Sequence, residues 1–215
     1  MMRDEHFNNF IEEFGEATQH IAVPSESIEK WRGKLPDQLL HYWRTEGWNS
    51  YQNGLFSTVN PDDYEGIVDM WLEDTPFESM DAYHVIGKSG FGDLCLCGEN
   101  TGTNLTISCA FNTIYYNKEN FYKKDKEEAN LDIATFFESK SLDYFDLEED
   151  DDDDDIGIFS NAIEKYGPLN ENQIFGFEPA LVLGGDIALK NIRKLDMYIH
   201  LDILRQFSSP QITEV

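Results

Sequence analysis

Basic residues are scarce in this chain. Sixteen lysines and arginines stand against 42 aspartates and glutamates, a formal net charge of -26. Phosphate contacts need Lys and Arg, so direct binding to nucleic acid is disfavoured. Cysteine is sparse and odd in number: Cys95, Cys97 and Cys109. That set excludes a disulfide framework and fits free thiols in a reducing compartment. Cys95 and Cys97 have the wrong spacing for a zinc knuckle, and no second pair exists. No apolar run approaches the roughly 18 residues of a membrane span. The first residues, Met1-Met2-Arg3-Asp4-Glu5-His6, are too acidic and polar for a secretory signal, so a cytoplasmic location is expected.

Recognisable catalytic motifs are missing as well. Gly87-Lys88-Ser89 has the look of the end of a phosphate-binding loop, but that loop needs glycine where Ala82 stands. A turn between strands is the simpler reading. None of the five histidines, His6, His20, His41, His84 and His200, forms an HxxxH or HExxH pair. None flanks a Ser or Cys in a nucleophile motif. The aspartate run lacks the glycine and alternating ligands of an EF-hand loop. The expectation is therefore no catalytic residue, no metal ligand and no cofactor.

What is present is enough apolar and aromatic residue, 40% and 13%, to bury a core, so wholesale disorder is unexpected. Phe7, Phe10, Ile11 and Phe14 have helical spacing, ended by Gly15. Ser25 or Ser27 starts a short helix through Ile28 and Trp31 to Gly33. Pro36 opens a helix carrying Leu39, Leu40 and Trp43, ended by Gly47. Leu55 to Val59 is β-prone. Asn60-Pro61 signals another helix with Ile67, Val68, Trp71 and Leu72 inward. The period then changes. Runs at 83–87, 93–98, 104–109 and 113–116 are short strands between Gly and Asn turns, which favours an antiparallel meander. Residues 117–128 read as a loop, and 129–137 as a helix. Beyond the acidic run, Ile158 to Tyr166 is a helical face ended by Gly167-Pro168. Phe177 to Leu183 has strand length. Met197 to Phe207 reads as a closing helix with Leu201, Leu204 and Phe207 periodic. The class is α+β: N-terminal helices packed on a central, mostly antiparallel sheet, followed by a smaller helix-rich C-terminal region.

Two features bear on partners. Ten acids lie between Asp143 and Asp155, ending in six consecutive aspartates, Asp150, Asp151, Asp152, Asp153, Asp154 and Asp155. Six adjacent carboxylates cannot pack together. The run reads either as a solvated linker or as a contact with a basic partner, mimicking a polyphosphate backbone. The chain stays strongly acidic without it, and opposite fields speed encounter by roughly 10–1000-fold. Trp43, Trp48, Tyr51 and Phe56 read most simply as core. Trp48 and Tyr51 fall in the expected loop after the Pro36 helix, and there they are candidates for part-exposed interface anchors.

Leu35-Pro36, Tyr42-Trp43, Gly47-Trp48, Gly54-Leu55 and Asn60-Pro61-Asp62 together resemble the GAD-like domain of bacterial type VI secretion immunity proteins. Gly167-Pro168-Leu169, Phe175 to Leu181, Gly184-Gly185 and His200-Leu201 are similar to the C-terminal domain that often follows it. The resemblance covers most of the chain, and the acidic run sets the boundary of its two blocks by composition: a GAD-like domain at 1–140, an acidic linker at 141–155 and an immunity-protein C-terminal domain at 156–215. It implies a non-enzymatic immunity protein that binds a cognate basic nuclease (DNase) toxin and blocks its active site or DNA groove. Asp150–Asp155, Trp48 and Tyr51 are the expected contacts. A regulatory module for another basic protein, or a carboxylate-based enzyme, remain the alternatives.

Overall fold

Residues Asp93–Gly98 face two ways. Leu94 and Leu96 join one apolar cluster, Cys95 and Cys97 another. A strand buried on both faces needs cover on both faces, and the molecule is layered accordingly. The fold, taken from a computed structural model, is described for residues 3–148 and 157–215. The chain runs α1 (Glu5–Phe14), β1 (Gln19–Ile21), α2 (Ser25–Trp31), α3 (Asp37–Thr45), β2 (Trp48–Tyr51), β3 (Phe56–Thr58) and α4 (Glu65–Leu72). The meander follows as β4 (Tyr83–Ser89), β5 (Asp93–Gly98), β6 (Gly102–Ser108) and β7 (Thr113–Tyr116). Then come α5 (Lys126–Glu138), α6 (Leu142–Phe145), α7 (Ile158–Tyr166), β8 (Gln173–Phe177), β9 (Ile192–Asp196), α8 (Met197–Phe207) and β10 (Gln211–Glu214).

Eight strands form one sheet in the order β1-β2-β3-β4-β5-β6-β7-β10. All neighbours are antiparallel except β10, which runs parallel to β7. Strands β8 and β9 pair separately as an antiparallel ribbon. The α+β class expected from the sequence is the one observed.

One face of the sheet carries α1, α3 and α5. The Asp4 carboxylate accepts from the Phe7 N–H at 2.8 Å and starts α1. Phe7, Phe10 and Phe14 then repeat on its buried side. Phe10 stacks on Phe14 at 4.5 Å and meets Tyr51 and Phe137 edge-on at 4.9 and 5.5 Å. The opposite face carries α4 and α8, whose Trp71, Leu72, Leu201 and Leu204 cover Val85, Leu94 and Ile107. Gly47 admits the edge strand β1. Its φ is +96°, and a Cβ there would come within 2.5 Å of the Ile21 carbonyl oxygen.

The C-terminal part is built into this frame. Phe91, between β4 and β5, packs against Phe159, Phe175 and Phe177 at 5.7 to 6.3 Å. A Cβ at Gly90 would collide with the Phe159 ring. The Phe175 N–H donates to the Gly90 carbonyl at 2.8 Å. Inside the expected linker, α6 places Phe145 in the core, stacked on Phe56 at 4.7 Å.

Several elements differ from their sequence reading. The C-terminal strand ends at Phe177 rather than beginning there, because Pro179 has no N–H for a ladder and Leu181–Leu183 is a 3-10 turn. Asn60 caps the 3-10 turn Pro61–Asp63, and α4 begins only at Glu65. The 48–51 stretch is a strand, not a loop. Phe207 does not share the buried face of Leu201 and Leu204; it is exposed.

Candidate partner-binding surface

Register places a polar row across the sheet near its β1 edge. Gln19 lies opposite Ser50, Ser50 opposite Ser57, and Ser57 opposite Lys88. The row floors a cleft of about 460 Å³. Tyr64 and Tyr198, with ring centroids 6.0 Å apart, help to wall it, and Asp63 and Glu171 add negative charge. Lys88 is buried. Its ammonium donates to the carbonyls of Glu171 and Gln173 at 2.8 and 3.1 Å, tying the C-terminal part to the sheet. Burial pushes its pKa down to about 8, opposed by the Glu171 carboxylate. The Gly87-Lys88-Ser89 triplet, which the sequence suggests is a turn, lies within strand β4.

A second, wider groove of about 850 Å³ runs between α4 and the segment leading into β4. Glu65, Asp69, Glu73, Glu78 and Asp81 line it, and no Lys or Arg does. Burial works to raise the Asp81 pKa, but donors from Asn100 and Thr101 outweigh it and hold the group below its ordinary value. Those bonds run from the Asn100 N–H at 2.9 Å and the Thr101 N–H and hydroxyl at 2.8 Å each. Asp81 thus stays ionised and fixed. Glu65 and Asp69 come from α4 and Glu73 from its C-cap. What the sequence did not show is that residues 78–81 return to face these acids.

The expected contact residues land in different places. Asp150, Asp151, Asp152, Asp153, Asp154 and Asp155 lie outside the described residues. Trp48 is on β2, 8% exposed, and lines the cleft. Tyr51, on the same strand, is 1% exposed and belongs to the aromatic core. The expectation that both stand in a loop is corrected by the pairing of β2 with β1 and β3.

Other candidate groups have structural partners. Cys95, Cys97 and Cys109 are free and buried, and burial pushes the Cys95 thiol up to about 11. His84 meets Glu99 at 3.1 Å and packs edge-on to Trp31. Burial raises two carboxyls, Asp93 and Asp146. Asp93 accepts from the Ser89 hydroxyl, Asp146 from the Leu147 and Phe159 N–H groups, and neither lines the two clefts. Among the described residues no group of three His, Cys, Asp or Glu is placed to hold a metal ion. Among them, too, no helix is long and apolar enough to cross a membrane.

Comparison with known proteins bears on this surface. No curated protein matches the chain. The crystal structure of Atu4351 from Agrobacterium tumefaciens superposes with a TM-score of 0.81, covering 97% of this chain and 92% of that one. At 20% identity the likeness is one of fold. Residues 5–111 match the family model of the GAD-like domain. Residues 130–208 match that of the C-terminal part of the T6SS immunity protein Tdi1. The chain is therefore a GAD-like domain protein carrying the C-terminal domain of a type VI secretion immunity protein.

Proposed function

We propose that this protein binds a cognate nuclease toxin, a DNase with a basic substrate groove, and neutralises it in the cytoplasm by denying DNA access. The observation that carries the reading is the groove lined by five carboxylates and no cation. A DNase presents Lys and Arg to phosphates, and a groove of carboxylates competes for those cations. The whole chain, at -26, steers the encounter, and Asp150–Asp155 add to the field. Trp48 contributes from the cleft. Tyr51 supports β2 from behind. The protein acts by occupancy and performs no chemistry of its own.

The test is co-purification from the native cell with this protein as bait, at low and then high salt. A basic protein with DNase activity that survives the salt wash is the expected result. Recovery of the protein alone, or with a basic partner that has no nuclease activity, sinks the reading. The second outcome would favour a regulatory module for another basic protein.

A further inference from the structure

Helix α8 carries apolar residues on two sides. Met197, Leu201 and Leu204 are buried. Ile199, Ile203 and Phe207, spaced i, i+4 and i+8, form a second stripe that is 63%, 44% and 45% exposed. Scattered exposed apolar residues are ordinary on a protein surface. Three large ones aligned on a single helix face form a patch, and patches mark contacts.

The surroundings of the stripe are acidic. Asp196 and Asp202 are exposed on the same helix segment, and the Gln206 amide donates to Asp202 at 2.9 Å. Arg205 is turned away from the stripe. Its guanidinium donates to the carbonyls of Met70 and Glu73 at 3.1 and 3.0 Å. Those bonds lay α8 alongside the end of α4, the helix that supplies Glu65, Asp69 and Glu73 to the acidic groove. Arg205 thus holds the α4 side of α8, and the stripe is left on its outward side with Asp196 and Asp202.

We infer that the α8 stripe is the apolar centre of the toxin interface, and that its occupant is a toxin surface with an apolar centre ringed by Lys and Arg. The inference rests on the immunity reading above. Charge complementarity selects this occupant. A second copy of the chain would bring two strongly acidic surfaces together, and an anionic lipid surface would be repelled in the same way. A basic protein gains on both counts: its cations face Asp196 and Asp202 while its apolar residues cover the stripe. The two parts then act on different rates. Rim charges raise association, and a desolvated apolar centre sets the lifetime of the complex.

The experiment uses the nuclease recovered by the co-purification, in a catalytically inactive form, with binding kinetics measured on the full-length protein. Ile199→Gln with Ile203→Gln keeps the charge. This pair should raise the dissociation rate by about tenfold or more with association little changed. Glu65→Gln, Asp69→Gln and Glu73→Gln together should slow association and flatten its salt dependence, with a smaller effect on dissociation. Thermal unfolding checks that both variants fold. A folded double-glutamine variant that dissociates at the native rate overturns the inference and leaves the immunity reading standing. A native dimer that this variant splits also overturns it, by giving the stripe to a second copy. Failure of the native protein to bind any nuclease removes the immunity reading and the inference with it.

Discussion

Helices α1 and α8 lie near opposite ends of the chain and place their large apolar residues differently. In α1, Phe7, Phe10 and Phe14 all enter the aromatic core, and the other side is polar. In α8 one set of apolar residues is buried and another faces outward. Both helices are amphipathic by periodicity alone. The difference is what each apolar residue is for. Those of α1 hold the sheet's helical layer together, and those on the outer side of α8 are exposed. On the proposed reading, stability and binding are carried by separate residues.

Truncation in the core should break this comparison most visibly on the α1 side. Phe10→Ala removes a ring in contact with Phe14, Tyr51, Phe56 and Phe137. The expected loss is about 3–5 kcal/mol of unfolding free energy, read from denaturant midpoints. A loss near zero would mean that the α1 layer is not part of the cooperative core.

The seam between the two parts is next in size. Lys88 has a folded pKa near 8 against an ordinary value of 10.5. Between those values the unfolded chain holds the proton and the folded chain does not, so stability rises with pH across that window. Below about pH 8 the cost of burying the charge is present in full. The rise amounts to roughly 3 kcal/mol at most. Comparing the native protein with Lys88→Met at neutral and alkaline pH isolates it, because the tyrosine titrations are common to both. Equal pH slopes would show that the ammonium is solvated.

A smaller effect is expected at the start of α5, the helix on which α1 packs. The Asp125 carboxylate accepts from the Glu127 and Glu128 N–H groups at 2.9 Å each, and the Glu128 side chain returns the bond in a capping box. Asp125→Ala should cost about 1 kcal/mol by the same denaturant measurement. Smallest of all is Ile203→Ala on α8, expected within about 0.5 kcal/mol of the native protein because the side chain is not part of the core. A cost approaching that of Phe10→Ala would erase the distinction between the two helices.

The meander was legible in the sequence because β4 to β7 are bounded by Gly and Asn turns and rich in Val, Ile, Leu and Tyr. The helices α1, α3 and α7 were legible from their 3.6-residue spacing. Strands β1, β2, β9 and β10 were not. Gln19-His20-Ile21 and Gln211–Glu214 are short and polar, and they become strands only because a neighbour offers its edge. Trp48-Asn49-Ser50-Tyr51 reads as an aromatic loop until pairing with β3 puts Tyr51 beside Phe10. The proposed partner surface was half legible. The acid excess was in plain view, while the acidic stripe along α4 emerges only with the fold. The outward stripe of α8 was hidden because periodicity shows that a helix has apolar residues without saying which side meets the core. Phe207 keeps the period of Leu201 and Leu204 and yet is exposed.

The most direct test of the central claim is a cleavage titration: a fixed amount of the active cognate toxin acts on plasmid DNA while this protein is added. Cleavage should stop once the protein matches the toxin in amount, and inhibition should persist at high salt because the apolar centre outlasts screening of the rim. Cleavage that continues in the presence of excess folded protein would contradict it.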